Sequence, residues 1–377
     1  MNGWLRPLAG KVLPFSLFTK FKKNKLQSMS DSLSLHDFYL DRKVAVTGGA
    51  SFISSHLVGL LVASGAKVTV IDDLTSGSLS HLTAVEKDIR FLEGDLRKQE
   101  FAESALHDHD CVFHLAAQHG GRGYIETHPV ECVNNMLLDH TVYAAAVKGG
   151  ARKIVFASSA CVYPTNLQAD SQSRLLLKES DANFEEPGKA FSDGEYGWAK
   201  LMGELQLRAF CKQHKIDGIA CRIFTAYGER ENESHAVVAL IAKAVAKIDP
   251  YPIWGDGLQT RNFTYVQDTV TGMARACAKL TGFETINVGS SQHHTIMDLI
   301  ECIFKHLGWR PREIKKELDK PVGVLSRAAD NSKCRQVLEW EPRYTLEEGV
   351  ARTIDWYVDT LTPERQARLE DLLLERV

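Results

Sequence analysis

A tyrosine and a lysine spaced four residues apart are the side chains of this sequence whose types and spacing best indicate chemistry. Tyr196 and Lys200 lie in the stretch YGWAK, about 37 residues beyond the serine pair Ser158 and Ser159. Residues at i and i+4 share one helix face, so we expect the ammonium group of Lys200 to lower the pKa of the phenol from about 10 toward neutral pH. Such a phenol can accept the proton of an alcohol that is being oxidised. Because tyrosines and lysines share helix faces in many proteins, the pair gains weight only from the surrounding sequence.

A strand, a glycine-rich turn, a helix and a second strand are predicted from Lys43 onward, in the segment KVAVTGGASFISSHLVGLLVASGAKVTVIDD. In such a unit the turn and the helix N-terminus bind a pyrophosphate, and an acidic side chain after the second strand binds ribose hydroxyls. Asp72 lies 24 residues beyond Gly48, which suits that role. Because no arginine stands beside Asp72 to bind a 2′-phosphate, the segment predicts NAD rather than NADP.

Two serines stand where a G-x-x-G-x-x-G spacing from Gly48 would need glycine, at Ser51 and Ser54. Both are small, and their hydroxyls can reach phosphate, but the closest backbone approach is no longer guaranteed. One alternative is that the turn merely joins two strands. An alternative function of another class is a non-catalytic NAD-binding scaffold.

Three further apolar runs, FLEGDLR, CVFHLAA and KIVFASS, alternate with helical stretches. This alternation predicts an α/β fold with a doubly wound parallel sheet, whose ligands bind beyond the carboxyl ends of the strands. Asp95, Ala116 and Ser158 fall at such ends. Asp95 either contacts the cofactor or caps a helix.

The composition excludes several other classes of protein. The 377 residues are 44% hydrophobic and carry a net charge of -3, so no overall positive field favours nucleic acid. No apolar run approaches the roughly 20 residues that cross a bilayer. The eight cysteines show no metal-ligand spacing, which predicts no metal site and reduced thiols in a cytoplasmic protein.

Residues 1–40 differ from the rest because their basic side chains precede the first acidic residue, Asp31, and alternate with aromatic residues. We expect a disordered extension. The alternative is peripheral contact with an anionic membrane or a partner.

The order of motifs TGGxxFI, DL, HLAA, SSxxVY, YxxxK, WGDGxQxRNFTYVQD and NVG resembles the extended short-chain dehydrogenase/reductase family of nucleotide-sugar epimerases and dehydratases, over roughly residues 42–360. The resemblance implies a Rossmann-type sheet with a smaller interleaved substrate-binding lobe, resident NAD and a nucleotide-sugar substrate. The cofactor-binding residues that it implies are Gly48, Ser51, Phe52, Ile53, Asp72, Asp95, Leu96, Ala116, Asn135, Ser158, Tyr196 and Lys200.

In this family Tyr196 would take the proton of a sugar hydroxyl, Lys200 would contact the nicotinamide ribose, and Ser159 would hydrogen-bond the same oxygen. A ketone at carbon 4 acidifies the hydrogens on carbons 3 and 5. Family dehydratases carry an Asp-Glu pair just after the serine, whereas this chain has Ala160 and Cys161. Elimination is therefore disfavoured, and either 4-epimerisation or 3,5-epimerisation remains.

The segments HGGRGYI, SSACVYP and WGDGLQTRNFT favour 3,5-epimerisation, because they are similar to those of the GDP-mannose 3,5-epimerases of this family. In those enzymes a cysteine at the position of Cys161 is an acid/base at the sugar ring, and a thiol suits that task. The alternative for Cys161 is a small buried thiol.

A second acid/base in those enzymes is a lysine, whereas this chain has His235 at the matching position and Thr225 where an asparagine is expected. An imidazole with a pKa near 6.5 can do the same work. The alternative for His235 is a surface or capping residue. These departures leave a UDP-sugar 4-epimerase of the UDP-glucose or UDP-glucuronate type as a rival hypothesis.

The same resemblance implies the substrate contacts Gly121, Arg122, Gly123, Lys243, Gln259 and Arg327. Arg327 would bind phosphate through its planar guanidinium group. Arg261 is expected to pair with structural carboxylates instead.

The predicted NAD-binding domain spans residues 42–180 and continues in parts of 196–226 and 262–285. The substrate-binding lobe is predicted from 181–195, 227–260 and 286–345, followed by C-terminal helices over 346–377. Helices near 130–149 and 196–214 carry surplus apolar residues, which in this family pair two copies of the chain. The prediction is a homodimer held by Leu137, Val142, Leu201, Leu205 and Leu207.

Overall fold

A seven-stranded parallel sheet organises the computed structural model, which describes residues 35–367 and 369. Its strand order is β3-β2-β1-β4-β5-β6-β11. The strands are β1 (Lys43–Thr47), β2 (Lys67–Asp72), β3 (Ile89–Glu93), β4 (Cys111–His114), β5 (Lys153–Ser159), β6 (Asp217–Ile223) and β11 (Phe283–Val288). The predicted doubly wound α/β sheet is confirmed.

Helices cover both faces of the sheet, which is why its central strands are apolar on both sides. Val44, Ala45 and Val46 of β1 are fully buried. The helices are α1 (35–39), α2 (Phe52–Ala63), α3 (Gln99–Ala105), α4 (Arg122–Thr127), α5 (Pro129–Lys148), α6 (Gly194–His214), α7 (Ala236–Val245), α8 (Val266–Lys279), α9 (Ile296–Leu307), α10 (Leu346–Asp359) and α11 (Pro363–Ala367).

The direction of winding reverses between β1 and β4, which lie side by side although β2 and β3 separate them in sequence. At such a reversal the connecting loops diverge and leave a crevice beyond the carboxyl ends of the strands. The loops that follow β1, β4 and β5 therefore meet at one edge of the sheet.

Short strand pairs lie in the connections that follow β6. They are β7 (Ala226–Tyr227) with β10 (Thr264–Tyr265), β9 (Thr260–Arg261) with β12 (His294–Thr295), and β8 (Tyr251–Trp254) with β13 (Ile314–Glu317). Segments from distant parts of the chain thus pair with one another. The division into two interleaved domains remains a prediction.

The predicted N-terminal extension ends earlier than residue 40. Leu35 and Tyr39 of α1 are 2% and 0% exposed, and the Tyr39 hydroxyl donates a hydrogen bond to the carbonyl oxygen of Ala274. The apolar residues that follow the basic run therefore belong to the core. The remainder of the extension, residues 1–34, lies outside the described residues, as does most of the chain after residue 367.

Helices α5 and α6 pack against each other, but most of the apolar residues predicted to pair two copies serve this chain's own core. Val142, Leu201 and Leu207 are fully buried, so their assignment to an intermolecular surface is wrong. Leu137 is 68% exposed, and Trp198 is 40% exposed. No helix within residues 35–367 combines the length and apolarity needed to cross a bilayer.

Candidate active site

The turn between β1 and α2 brings two backbone segments unusually close together. Gly48 has φ +66°, and a Cβ atom there would lie 2.9 Å from the backbone N and Cα atoms of Ala116. Any side chain at Gly48 would collide with the end of β4. The turn leads into the N-terminus of α2, where backbone N–H groups can bind phosphate.

Asp72, at the end of β2, holds this turn in place. Its carboxylate accepts hydrogen bonds from the backbone N–H groups of Ala50 at 2.9 Å and Leu74 at 2.8 Å. Burial raises the pKa of Asp72 despite these hydrogen bonds. Since a carboxylate offers about four acceptor sites, two hydrogen bonds leave capacity for ribose hydroxyls.

One cleft of ≈ 990 Å³ runs along the carboxyl edge of the sheet and contains most of the predicted site residues. The predicted residues that line it are Gly48, Ser51, Phe52, Ile53, Asp72, Asp95, Leu96, Ala116, Gly121, Arg122, Asn135, Ser158, Ser159, Cys161, Tyr196, Lys200, His235 and Arg327.

Three predicted substrate residues do not line the cleft: Gly123, Lys243 and Gln259. Lys243 donates a hydrogen bond to the carbonyl oxygen of Pro252 at 3.1 Å, and Gln259 donates to that of Trp254 at 3.0 Å. Their side chains support local backbone in this structure.

Tyr196 and Lys200 lie at the centre of the cleft on α6, as their spacing predicted. The Lys200 ammonium is 5.8 Å from the centroid of the Tyr196 ring and 4.7 Å from that of Phe156. Burial raises the pKa of Tyr196, and nearby Cys161 adds to the rise, against a hydrogen bond with Ser159. Burial also lowers the pKa of Lys200. The expected lowering of the Tyr196 pKa is therefore wrong for the protein alone, because desolvation of the phenolate dominates.

The two serines at the end of β5 have different partners. The Ser158 hydroxyl donates to Oε1 of Glu204 at 2.5 Å, whereas Ser159 accepts a hydrogen bond from the backbone N–H of Cys161 at 3.1 Å. Glu204 is also paired with buried Arg222 at 2.8 Å. Ser158 is thus tied to a buried ion pair, while Ser159 remains beside Tyr196.

Cys161 is held by an arginine from the far end of the chain. Arg327 donates to the Sγ atom of Cys161 at 3.4 Å, to Asp193 at 3.1 Å and to Gln168 at 2.6 Å. Asp193 also accepts a hydrogen bond from Arg122 at 3.0 Å. Burial opposes ionisation of Asp193, but the two guanidinium groups outweigh it and lower the pKa of the carboxyl.

Arg261 also lines the cleft, and its expected pairing with carboxylates is wrong. Its guanidinium donates to the carbonyl oxygens of Thr260 at 2.7 Å and Val322 at 2.9 Å. Burial, together with the nearby Arg327, lowers the pKa of Arg261 to about 9. Positive charge therefore exceeds negative charge around Asp193, which favours an anionic ligand.

A second group of titratable side chains lines the cleft near Tyr196. The His119 ring lies 6.5 Å from that of Tyr196 and 5.7 Å from that of His235, measured between centroids. Nδ1 of His235 is 3.7 Å from Oε1 of Glu231. Burial lowers the pKa of His235 to about 3, and His119 adds to this, so the expected value near 6.5 is wrong.

Gly121 explains how these histidines meet. A Cβ atom at position 121 would overlap the carbonyl oxygen of Ser234, the residue before His235. The glycine of HGGRGYI therefore allows the loop after β4 to lie directly against the segment that precedes α7. Sequence reasoning assigned Gly121 to the sugar and missed its packing role.

Sequence reasoning gave no site role to His119, Glu231, Asp193 or Arg261, which all line the cleft. His119 lies within the glycine segment that was singled out, so its position was available as a signal. Glu231 lies four residues before His235, Asp193 lies three residues before Tyr196, and Arg261 lies within the WGDGLQTRNFT segment, so sequence proximity to predicted residues was a signal for these as well. Among the described residues, no three His, Cys, Asp or Glu side chains cluster as a metal site requires, and all eight cysteines are free.

Comparison with known proteins identifies the class to which this fold and cleft belong. Residues 44–289 match the model of the NAD dependent epimerase/dehydratase family. The chain therefore belongs to this family of enzymes, and its cofactor is NAD.

Individual relatives show the range of the family. The chain is 32% identical to GDP-mannose 3,5-epimerase of Arabidopsis thaliana, over 86% of this chain and 84% of that one. It is similar to the structure of UDP-glucose 4-epimerase from Thermotoga maritima with UDP-glucose, with a TM-score of 0.75, 26% identity and coverage of 85% and 100%. A dTDP-glucose 4,6-dehydratase double mutant from Streptomyces venezuelae, solved with NAD bound, has a TM-score of 0.76, 25% identity and coverage of 84% and 97%.

Proposed function

We propose that this enzyme is a nucleotide-sugar epimerase that inverts carbons 3 and 5 of a GDP-mannose-type substrate through a transient 4-ketone. The position of Cys161 carries the proposal. Its thiol lies beside Tyr196, at the end of β5 where a dehydratase would have carboxylates. A thiol in that place can move a proton on and off a ring carbon but is poorly suited to expelling water.

The residues of the cleft fit NAD, because Gly48 allows a close approach to the turn and Asp72 keeps acceptor sites for ribose. NAD supplies the oxidation at carbon 4 of the sugar. Tyr196 accepts the hydroxyl proton from that carbon, and Ser159 holds the same oxygen. Lys200 places a positive charge 5.8 Å from the phenol ring centroid, which stabilises the phenolate when it forms.

Cys161 and His235 would then act on the carbons beside the ketone. The His119 ring contacts the rings of both Tyr196 and His235, whereas Cys161, bonded to Arg327, belongs to a separate group near the same phenol. We propose that the two groups approach the sugar from opposite faces. Inversion needs a base on one face of the sugar ring and an acid on the other. This arrangement supports inversion at a ring carbon.

A diphosphate would bind where guanidinium groups outnumber carboxylates. Arg122 and Arg327 share the buried carboxylate of Asp193, and the nearby Arg261 carries a charge that burial disfavours. A diphosphate would compensate that charge, since the arginine fork matches two phosphate oxygens. Lys243 and Gln259 remain proposed nucleotide contacts that would require side-chain movement.

The test is incubation of the purified enzyme with GDP-mannose in deuterium oxide. We expect deuterium and inverted configuration at carbons 3 and 5. The Cys161→Ala variant should lose inversion about a hundredfold while still reducing NAD transiently, because the oxidation does not use the thiol. Absence of exchange in the unsubstituted enzyme would refute the proposal.

A UDP-sugar 4-epimerase is the second candidate, supported by the similarity to the Thermotoga maritima enzyme over 85% of this chain. The same experiment with UDP-glucose and UDP-glucuronate separates the two functions. Inversion at carbon 4 without deuterium exchange would support the second candidate, because rotation of the ketone needs no carbon acid chemistry.

We also propose that the enzyme is a homodimer joined through the exposed faces of α5 and α6. Leu137 and Trp198 are large apolar side chains that this chain leaves exposed. The Leu137→Asp variant should shift sedimentation toward monomer, whereas Leu318→Asp, at a 73% exposed residue elsewhere, should not. Sedimentation of the unsubstituted enzyme only as monomer at micromolar concentration would refute the dimer.

A further inference from the structure

A carboxyl group and an imidazole form a pair in the wall of the cleft. Oε1 of Glu231 lies 3.7 Å from Nδ1 of His235, and both residues line the cleft. The two nitrogens are on different edges of the ring, so Nε2 is left available for another partner when Nδ1 faces Glu231. His235 is the residue at which this chain departs from the lysine of the enzymes it resembles.

Glu231 is a buried carboxyl group with an oxygen atom that lacks a hydrogen-bond partner in the part of the chain that the structure describes. Glu231 is 5% exposed, and its Oε2 atom has no hydrogen-bond partner among the described residues. An unsatisfied buried polar atom costs roughly 1–3 kcal/mol. A glutamine could keep the hydrogen bond that the carboxyl accepts from the backbone of Gly228 and would avoid a buried ionisable group, so that hydrogen bond does not by itself account for a carboxyl here.

We propose that Glu231 positions His235 and stores the proton that His235 delivers to the sugar. The inference rests on the proposed function, because it assigns a proton source to the residue that faces the intermediate. Glu231 itself need not touch the substrate. It acts through the imidazole ring, which has a nitrogen on each edge.

The transfer balances in protons. The 3.7 Å between Oε1 of Glu231 and Nδ1 of His235 exceeds hydrogen-bond distance, so the relay requires the pair to close by about 0.7 Å. In the closed pair the O–H group of Glu231 donates to Nδ1 of His235, and Nε2 carries the ring proton. The Nε2–H bond breaks as a C–H bond forms at the enolate carbon, while the O–H bond of Glu231 breaks and an Nδ1–H bond forms. The enolate charge ends on Glu231 as a carboxylate, and uptake of one proton from water restores the pair.

The electrostatics of the pair agree with this resting state. Burial raises the pKa of Glu231 well above its usual range, against a hydrogen bond from the backbone of Gly228. Burial lowers the pKa of His235 to about 3. At neutral pH His235 alone would hold almost no extra proton, whereas the raised pKa of Glu231 favours a proton on its carboxyl group. If the two residues act as one acid, His235 can deliver its ring proton and regain one from Glu231 without ever holding two.

The neighbouring titratable groups also favour a proton on Glu231 over a second proton on His235. His119 faces His235, and enclosure in the cleft together with the ammonium of Lys200 lowers the pKa of His119. Tyr196 faces His119 on its other side. A resting imidazolium at His235 would therefore lie among groups that disfavour positive charge, so the proton is better stored on Glu231.

The test compares Glu231→Gln with Glu229→Gln. Glu229 is a matched control because it belongs to the same loop, has a buried oxygen without a partner among the described residues, and does not line the cleft. Each variant receives sugar nucleotide in deuterium oxide, with two measurements: inversion at carbons 3 and 5, and transient reduction of NAD. We expect Glu231→Gln to lower inversion about a hundredfold and leave reduction unchanged, and Glu229→Gln to leave both unchanged.

Inversion by Glu231→Gln at the unsubstituted rate would overturn the inference. So would equal loss of inversion and NAD reduction in a folded variant, since Glu231 would then be a structural or binding residue. If the unsubstituted enzyme reduces NAD but never inverts carbon 3 or 5, the proposed function itself fails. Failure of the inference is thus seen in the Glu231→Gln variant, whereas failure of the proposed function is seen in the unsubstituted enzyme.

A measurement on the unsubstituted protein does not depend on folding of a variant. Nitrogen-15 NMR of histidine-labelled enzyme reports the tautomer of His235. We expect a neutral ring with its proton on Nε2 at neutral pH, because a protonated Glu231 donates to Nδ1. An imidazolium at neutral pH, or a neutral ring with its proton on Nδ1, would overturn the proposal that Glu231 stores the proton.

Discussion

The guanidinium group of Arg327 donates a hydrogen bond to the Sγ atom of Cys161 across 3.4 Å, although 166 residues separate the two in sequence. The same group binds Gln168 and Asp193, so it uses its planar fork to join three segments of the chain. Cys161 is thereby held next to Tyr196.

Replacing Arg327 with lysine should destabilise the fold by about 1–3 kcal/mol. Lysine keeps the charge but lacks the fork, so it cannot serve all three partners, and hydrogen bonds to buried charged groups are worth about that much each. Denaturant unfolding measures the loss. Arg310→Lys is the control, because Arg310 pairs with Glu301 at the surface, where ion pairs contribute about 0–1 kcal/mol. Equal effects of the two substitutions would contradict the prediction.

Replacing Tyr196 with phenylalanine should lower kcat by about a thousandfold while NAD still copurifies, since only the proton acceptor is lost. The raised pKa of Tyr196 also fixes the sign of the pH dependence. The active form is the phenolate, whose fraction grows tenfold per pH unit below the pKa, so kcat should rise from about pH 7 to pH 9. Stopped-flow absorbance of the reduced nicotinamide measures this, and a profile that falls over that range would exclude Tyr196 as the base.

Replacing Gly48 with alanine should abolish NAD retention and destabilise the protein by at least about 1–2 kcal/mol. The cost follows from its φ of +66° and from collision of a Cβ atom with Ala116. Gly59→Ala is the matched control, because it lies within α2 with no atom within 4 Å of a new Cβ. That variant should keep NAD and gain about 0.5–1 kcal/mol. Nucleotide released from each denatured protein, together with its melting temperature, decides the comparison.

His56 should make the fold sensitive to mild acid. Its Nε2 atom lies 3.0 Å from the carbonyl oxygen of Glu229, to which it donates, so Nδ1 accepts from Gln267 at 3.1 Å. Burial lowers the pKa of His56 to about 4. Between about pH 6.5 and pH 4 His56 is protonated in the unfolded chain but not in the folded protein. The free energy of unfolding should therefore fall by on the order of 3 kcal/mol as the pH decreases over this range.

His56→Gln should remove that part of the pH dependence, since glutamine does not titrate. Urea unfolding at pH 7 and at pH 4.5 measures it. The control is His306→Gln, at a partly exposed histidine that pairs with Asp355 on the surface. An unchanged slope in the His56 variant would show that other groups cause the acid sensitivity.

Local sequence determined the parts of the protein whose interactions are short in range. The β1 turn, the start of α2 and the acidic residue at the end of β2 follow from residue types within about 30 positions, because hydrophobic period, glycine and helix termini act locally. Tyr196 and Lys200 share a helix face for the same reason. The alternation of strands and helices likewise sufficed for the parallel sheet.

Tertiary structure alone decided which distant side chains meet and what protons they hold. His119 reaches His235 because Gly121 allows two backbones to touch, and Arg327 reaches Cys161 across the cleft. The pKa values of Tyr196 and His235 differ from their expected ones because burial, which outweighs charge–charge attraction here, is a property of the packed protein. Residue types indicate which groups can titrate, but only the folded chain determines how much water each one loses.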